Sequence, residues 1–216
     1  MVDKADIRPT VLLTGFGPFP GVPVNASGEL VRRLVRIARR EFPNVRFVAA
    51  VLPTEWGRAP RRIAALHARY HPVLALHFGV ASGLQCVRLE TTGRNALRAS
   101  PDAAGVLPAD ELLCPDGLAE RRATIDIPRI SRALEARGWP CSSSDDAGGY
   151  LCNAALYQSL ACAEHHGGSV GFVHIPADLS QSPLAMKRGV ETALEIVRAA
   201  LGPKTETAEA PALTGP

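Results

Sequence analysis

An alternation along the chain constrains its fold more than any single motif. Four short apolar runs, Val11–Thr14, Val45–Leu52, Val73–Phe78 and Ser169–Ile175, are set apart by stretches whose apolar residues return every three or four positions. A run too short for a stable helix and bounded by Gly or Pro reads as a buried strand. A stretch with helical period reads as a helix that lays one face on a sheet. Leu30, Leu34, Ala38 and Phe42 mark such a face, with Arg32, Arg33, Arg36, Arg39 and Arg40 turned away from it. Further helices are predicted over Pro60–Tyr70, stopped by Pro72, over Pro128–Arg137, over Leu151–His165, and from Ser182-Pro183 to Gly202 along Val190, Leu194, Val197 and Leu201. Strands that alternate with helices are buried on both faces, which is the pattern of an α/β domain around a mainly parallel sheet.

Two weaker strands complete the reading. Cys86–Glu90 alternates with period two, and Trp139–Ser143 is short. Thr91–Ile127 has no period and is too long for a plain connection, so it is expected to be a functional or covering loop. At 216 residues the chain can bury a sizeable core without a disulfide or metal staple. We expect a single domain over residues 1–202 and an unstructured polar, Ala- and Pro-rich tail over 203–216.

Composition excludes several partners. The net charge is +3, from 24 basic and 21 acidic residues, too small a surplus for a nucleic-acid footprint. Ten arginines fall between Arg32 and Arg69, but no aromatic residues interleave with them as in a stacking platform, and they read as solvated helix faces. The five cysteines are odd in number, none has CxxC spacing, and the histidines do not fall at finger spacings, so no metal site is expected. The opening MVDKADIRPT lacks the apolar stretch of a secretory signal, and no run is long enough to span a membrane. The expectation is a cytoplasmic protein with reduced thiols and no membrane or nucleic-acid partner.

Three segments carry candidate chemistry. Strand one runs into Gly15-Phe16-Gly17-Pro18-Phe19-Pro20-Gly21. Its GxGxxxG spacing, interrupting prolines and lack of an acidic residue after the second strand match a dinucleotide site poorly. It reads better as a rigid loop at the carboxyl end of a strand, where open α/β sheets place ligands. Phe16 and Phe19 either wall an apolar pocket there or pack on the next helix. SDDAGGYLCN puts Cys152 in the first turn of a helix, where unpaired N–H groups and the helix dipole favour a thiolate nucleophile. The competing reading is a small buried residue, as for Cys162 deeper in that helix. His174 ends the apolar run SVGFVHIP, on the rim where catalytic groups collect. Cys and His together are the minimum for acyl transfer by a thiol. His77 is a rival base, but inside VLALHFG it reads as a hydrogen-bonded core residue. His165 and His166 suit a helix C-terminus, and His67 and His71 look like surface residues. Glu90 could orient the imidazole, since Cys86, Arg88 and Glu90 share one face of an alternating strand. Asp145, Asp146 and Asp178 remain open as competitors.

Taken together, these segments resemble the pyroglutamyl peptidase I family of cysteine peptidases, in order, from about Val11 to Gly202. TGFGPF with Asn25 and Ser27, LPTEW, HFGVASG with LETTGRN, SDDAGGYLCN and GFVHIP are the motifs that carry it. The resemblance implies Cys152 as nucleophile, His174 as base and Glu90 as its carboxylate. It also implies a pocket for the substrate's lactam, walled by Phe16 and Phe19 near Asn25. The implied fold is a three-layer α/β/α sandwich, often a homotetramer. The implied activity is hydrolytic removal of N-terminal pyroglutamyl residues from peptides, without metal or cofactor. Two positions depart from the pattern: Gly149, where many members carry Arg, and Val80, where some carry Gln. A nucleoside phosphorylase-like enzyme, and a degenerate member that binds N-terminal lactams without turnover, stand as alternatives.

Overall fold

The computed structural model describes residues 7–202; the tail proposed over 203–216 lies outside the described residues. Strands β1 (Thr10–Phe16), β2 (Arg46–Leu52), β3 (Leu74–Ala81), β4 (Val87–Glu90), β7 (Cys141–Ser144) and β8 (Ser169–Pro176) form one sheet in the order β2-β1-β3-β8-β4-β7. β2, β1, β3 and β8 are mutually parallel, and β4 runs antiparallel to β8 while pairing in parallel with β7. The sheet is therefore mixed and mainly parallel.

Among the described residues five α-helices cover it. α1 (Ala26–Glu41), α3 (Ile127–Glu135) and α5 (Pro183–Leu201) pack on one face, where Leu30, Leu34, Ile130, Val190 and Ile196 meet Val11, Leu13, Leu76 and Val173. α2 (Ala59–Tyr70) and α4 (Leu151–Ala163) pack on the other, where Ile63, Leu66, Leu151, Ala155 and Leu156 meet Leu12, Ala75, Val170 and Phe172. This is the expected three-layer sandwich. Burying a Leu, Ile or Phe side chain is worth about 1.5–3 kcal/mol, so the two cores hold the sheet rigidly between helix layers. The arginines of α1 and α2 are turned outward. Arg33 pairs with Glu29, Arg39 reaches the Phe47 carbonyl, and Arg69 stacks on Tyr70.

Two expectations are corrected in detail. β3 does not stop before Gly79 but continues to Ala81. A lone Gly reads as a breaker, yet here it stays in the strand because a neighbouring side chain needs its missing Cβ. Thr91–Ile127 is not structureless throughout: β5 (Thr92–Arg94) and β6 (Glu120–Arg122) form a small antiparallel ribbon. The segment does cover α4. Asn153 bonds the Arg94 amide and the Arg94 and Ala96 carbonyls, and the Tyr157 hydroxyl donates to the Leu118 carbonyl.

Candidate active site

The carboxyl ends of β1, β3 and β8 form one rim, and a cavity of about 510 Å³ opens there. Phe16 and Phe19 line one side of it. The glycine-rich loop follows β1. It brings α1 against β1: a Cβ on Gly15 would lie 2.3 Å from the Ser27 carbonyl oxygen. Ser27 Oγ accepts from the Phe16 amide at 3.0 Å, and Asn25 caps α1 by accepting from Ser27. The Asn25 amide also donates to the Gly17 carbonyl, which takes a second bond from Thr54 Oγ1. Asn25 lines the cavity with its polar atoms already engaged, so it fixes the wall that carries Phe16 and Phe19.

Cys152 occupies the second position of α4. Helices α1, α3 and α5 have a side chain bonded to a first-turn amide, from Asn25, Asp126 and Ser182 respectively. α4 begins at Tyr150 with no such cap, so its first N–H groups are not spent on a side chain. The helix start packs hard on β3: a Cβ on Gly79 would sit 2.8 Å from Cys152 Sγ and 2.8 Å from the Phe172 ring. The sulfur lies against a strand backbone, half-buried, facing the cavity.

His174 is two residues beyond Phe172 on the same face of β8, and the two rings are 4.9 Å apart. Its Nδ1 bonds Glu90 Oε1 at 2.7 Å, and its register partner on β3 is Gly79, the residue against which the Cys152 sulfur packs. Because Nδ1 belongs to Glu90, Nε2 is the nitrogen left for the sulfur. Burial works against a proton on this ring, but the neighbouring Cys152 sulfur and the bonded Glu90 carboxylate together push the pKa up to about 9. Among the candidate acids, the structure brings Glu90 to the imidazole. Asp145 pairs with Arg94, and Asp146 accepts from the Gly148 amide in its own turn. Glu90 does not stand at the rim, as a strand-end reading implies. β4 runs opposite to β8, so Glu90 pairs with Phe172 one layer down and reaches the ring from below. Arg88, the register partner of His174, takes the rim position and donates from Nε to Glu90 Oε1 at 2.8 Å.

The other histidines separate clearly. His77 is fully buried, with Nδ1 2.7 Å from Thr14 Oγ1, as expected of a core residue. Desolvation and, after it, the charge of His67 lower its pKa to about 3. His67 is not a surface residue: it is 2% exposed and held between Ser159 Oγ at 2.8 Å and His166 Nε2 at 2.9 Å. Its place on the buried face of α2 gave no polar signal in the sequence, because the partner atoms lie nearly a hundred positions away, on α4 and in the turn that follows it. Among the described residues, no group of three or more His, Cys, Asp or Glu is disposed to hold a metal ion, and no helix is long and apolar enough to cross a membrane.

Several cavity residues escaped the sequence reading. Tyr150 packs edge-on against Trp56 with ring centres 5.0 Å apart and against Phe19 at 6.0 Å, extending the aromatic wall. Thr54, Ala147 and Arg88 also line the space. Arg88 alone left a trace, in its shared alternation with Glu90. Of the two departures from the family pattern, one lines the cavity and the other lies beside it, between Gly148 and Tyr150. Val80 lines the cavity, and a Cβ on Gly149 would lie 2.9 Å from Arg98 Cβ, so the covering segment fills the room a longer side chain would need.

Known proteins match this chain along most of its length. The pattern of the pyroglutamyl peptidase family covers residues 9–207. The pyrrolidone-carboxylate peptidase of Cupriavidus taiwanensis is 37% identical over 172 residues, 78% of each chain. The enzyme of that name in Pyrococcus furiosus is 32% identical over 173 residues, 77% of this chain and 80% of the other. The solved structure of Bacillus amyloliquefaciens pyroglutamyl peptidase I is similar with a TM-score of 0.80 at 27% identity, covering 89% of this chain and 97% of that one.

Proposed function

The chain belongs to the pyroglutamyl peptidase family of cysteine peptidases, which hydrolyse N-terminal pyroglutamyl residues from peptides, and we propose that Cys152, His174 and Glu90 carry that reaction here. One observation carries the assignment. A buried imidazole bonded to a buried carboxylate lines one cavity with a cysteine at an uncapped helix start, the two meeting across Gly79, where Phe16 and Phe19 form the wall.

The chemistry follows from the placement. Attack by sulfur calls for an imidazolium beside it, and the raised pKa of His174 keeps the proton of that ring near neutrality. A pyroglutamyl end has no ammonium, so an apolar pocket suits it, with Asn25 holding the loop of the wall. Leaving the lactam N–H or C=O unpaired costs about 1–3 kcal/mol each, which gives the pocket its selectivity. Cys152 Sγ attacks the carbonyl carbon between the pyroglutamyl residue and the next. The oxyanion forms near the uncapped N–H groups of α4. His174 Nε2 gives its proton to the leaving amine as the C–N bond breaks, leaving a thioester. Water then attacks the thioester, His174 takes its proton, and the thiolate departs. Glu90 holds Nδ1–H throughout and stabilises the imidazolium.

The substrate on this reading is a peptide with an N-terminal pyroglutamate. The protein acts in the cytoplasm with reduced thiols, and all five cysteines are free in the structure. It works as a homo-oligomer, supported by exposed apolar side chains on the covering segment at Val106, Leu107, Leu112 and Leu118. Release of a fluorophore from a pyroglutamyl conjugate tests the reaction. Wild type should turn over and Cys152→Ala should lose at least about a thousandfold. Undiminished turnover by the alanine variant refutes the nucleophile.

A further inference from the structure

Arg88 has a half-spent guanidinium at the wall of the cavity. Its Nε is bonded to Glu90 Oε1, and no hydrogen bond among the described residues engages its two Nη atoms. The side chain is 29% exposed, sheltered enough that water screens it only in part.

Strand order fixes which part of a substrate would meet it. Across the rim come Phe16 on β1, Gly79 and Val80 on β3, His174 on β8, and Arg88 on β4. Each step is about 4.8 Å. The acyl half of the substrate lies toward the phenylalanines, and the leaving amine must lie at His174. The residue after the scissile bond therefore extends over β4. Arg88 is the direct cross-strand partner of His174, so the two side chains rise from the same face. The other formal charge on the cavity wall besides His174 is Asp146, which is exposed and has Oδ1 turned back to the Gly148 amide.

Resting on the peptidase reading above, we propose that Arg88 recognises a carboxylate just past the scissile bond. A guanidinium with both terminal nitrogens free meets a carboxylate as a fork, which a neutral amide cannot match. The favoured substrate class is then pyroglutamyl compounds carrying that carboxylate, either as the side chain of an acidic second residue or as the free terminus of a pyroglutamyl dipeptide.

Paired substrates separate the two sources. Pyroglutamyl-alanine against its amide reads the terminal carboxylate, and pyroglutamyl-glutamate amide against pyroglutamyl-glutamine amide reads the side chain. Wild type should favour the charged member of at least one pair by about tenfold in kcat/KM, mainly through KM. Arg88→Gln should bring that ratio close to one, and Arg88→Lys should keep part of it. The ratio is the readout because any disturbance of the Glu90–His174 pair acts on both members equally. Equal turnover of both pairs by wild type overturns the proposal, as does a preference that survives in Arg88→Gln. Faster cleavage of pyroglutamyl-lysine amide than of either charged substrate overturns it in favour of Asp146. If wild type cleaves none of these compounds, the peptidase reading fails instead, and this one with it.

Discussion

His77 and His174 stand on neighbouring strands, on the same face of the sheet, and both are almost cut off from water. One has its pKa lowered to about 3 and the other raised to about 9. Burial opposes the proton in both, so burial does not distinguish them. Partners do. His77 faces a threonine hydroxyl, which carries no charge to repay desolvation, and its Nε2 has no partner among the described residues. His174 faces a carboxylate below and a thiol at a helix start beside it. The same residue type on the same face keeps or loses its proton according to partners set by strands and a helix far apart in sequence.

The contrast can be broken at its sulfur with the largest effect. Without the charge of Cys152, the His174 ring should titrate well below about 9, toward the range of an ordinary histidine, when Cys152→Ala is followed by NMR. A ring that still titrates near 9 would assign the shift to Glu90 alone. Glu90→Gln comes next. It keeps the shape but cannot stabilise the imidazolium, and kcat/KM should fall roughly a hundred- to ten-thousandfold, with the unfolding transition little changed. Gly79→Ala tests the approach of sulfur to strand. The added methyl would displace Cys152 and Phe172, and a displacement of this kind costs about a hundredfold in turnover.

Stability against pH sharpens the comparison from the other side. His174 binds its proton more tightly folded than unfolded, so its contribution is full below about 6.5 and fades as pH rises toward about 9. His77 and His67 bind theirs less tightly when folded. Their effect is absent above about 6.5, and stability falls as pH drops from there toward 4 and 3. Urea midpoints across pH should therefore decline on both sides. His77→Phe should flatten the acid limb while changing turnover by less than about threefold, the smallest effect here. A collapse of activity in that variant would mean that His77 belongs to the reacting group after all.

Much of this was legible before any coordinates. The period of Leu30, Leu34, Ala38 and Phe42 gave α1, and the run SVGFVHIP placed His174 at a strand end. Periodicity could not show that Gly79 stays inside β3, since the reason is a sulfur and a ring brought against it. It could not show the burial of His67, whose partners come from α4 and the turn after it. Nor could it place Glu90 below the rim, because the direction of β4 against β8 leaves no mark in five residues of alternation.

By itself, then, the sequence determined the layers, the edge of the sheet where chemistry gathers, and the short set of thiols, imidazoles and carboxylates able to perform it. Local pattern is enough for that, since helix and strand periods are properties of neighbouring residues. Only the tertiary structure chose Glu90 over three aspartates, separated a charged histidine from a neutral one, and put Arg88 beside His174. Those outcomes depend on strand direction and on distances of a few ångströms between segments distant in the chain, and electrostatics in a desolvated site follows distance, not sequence order.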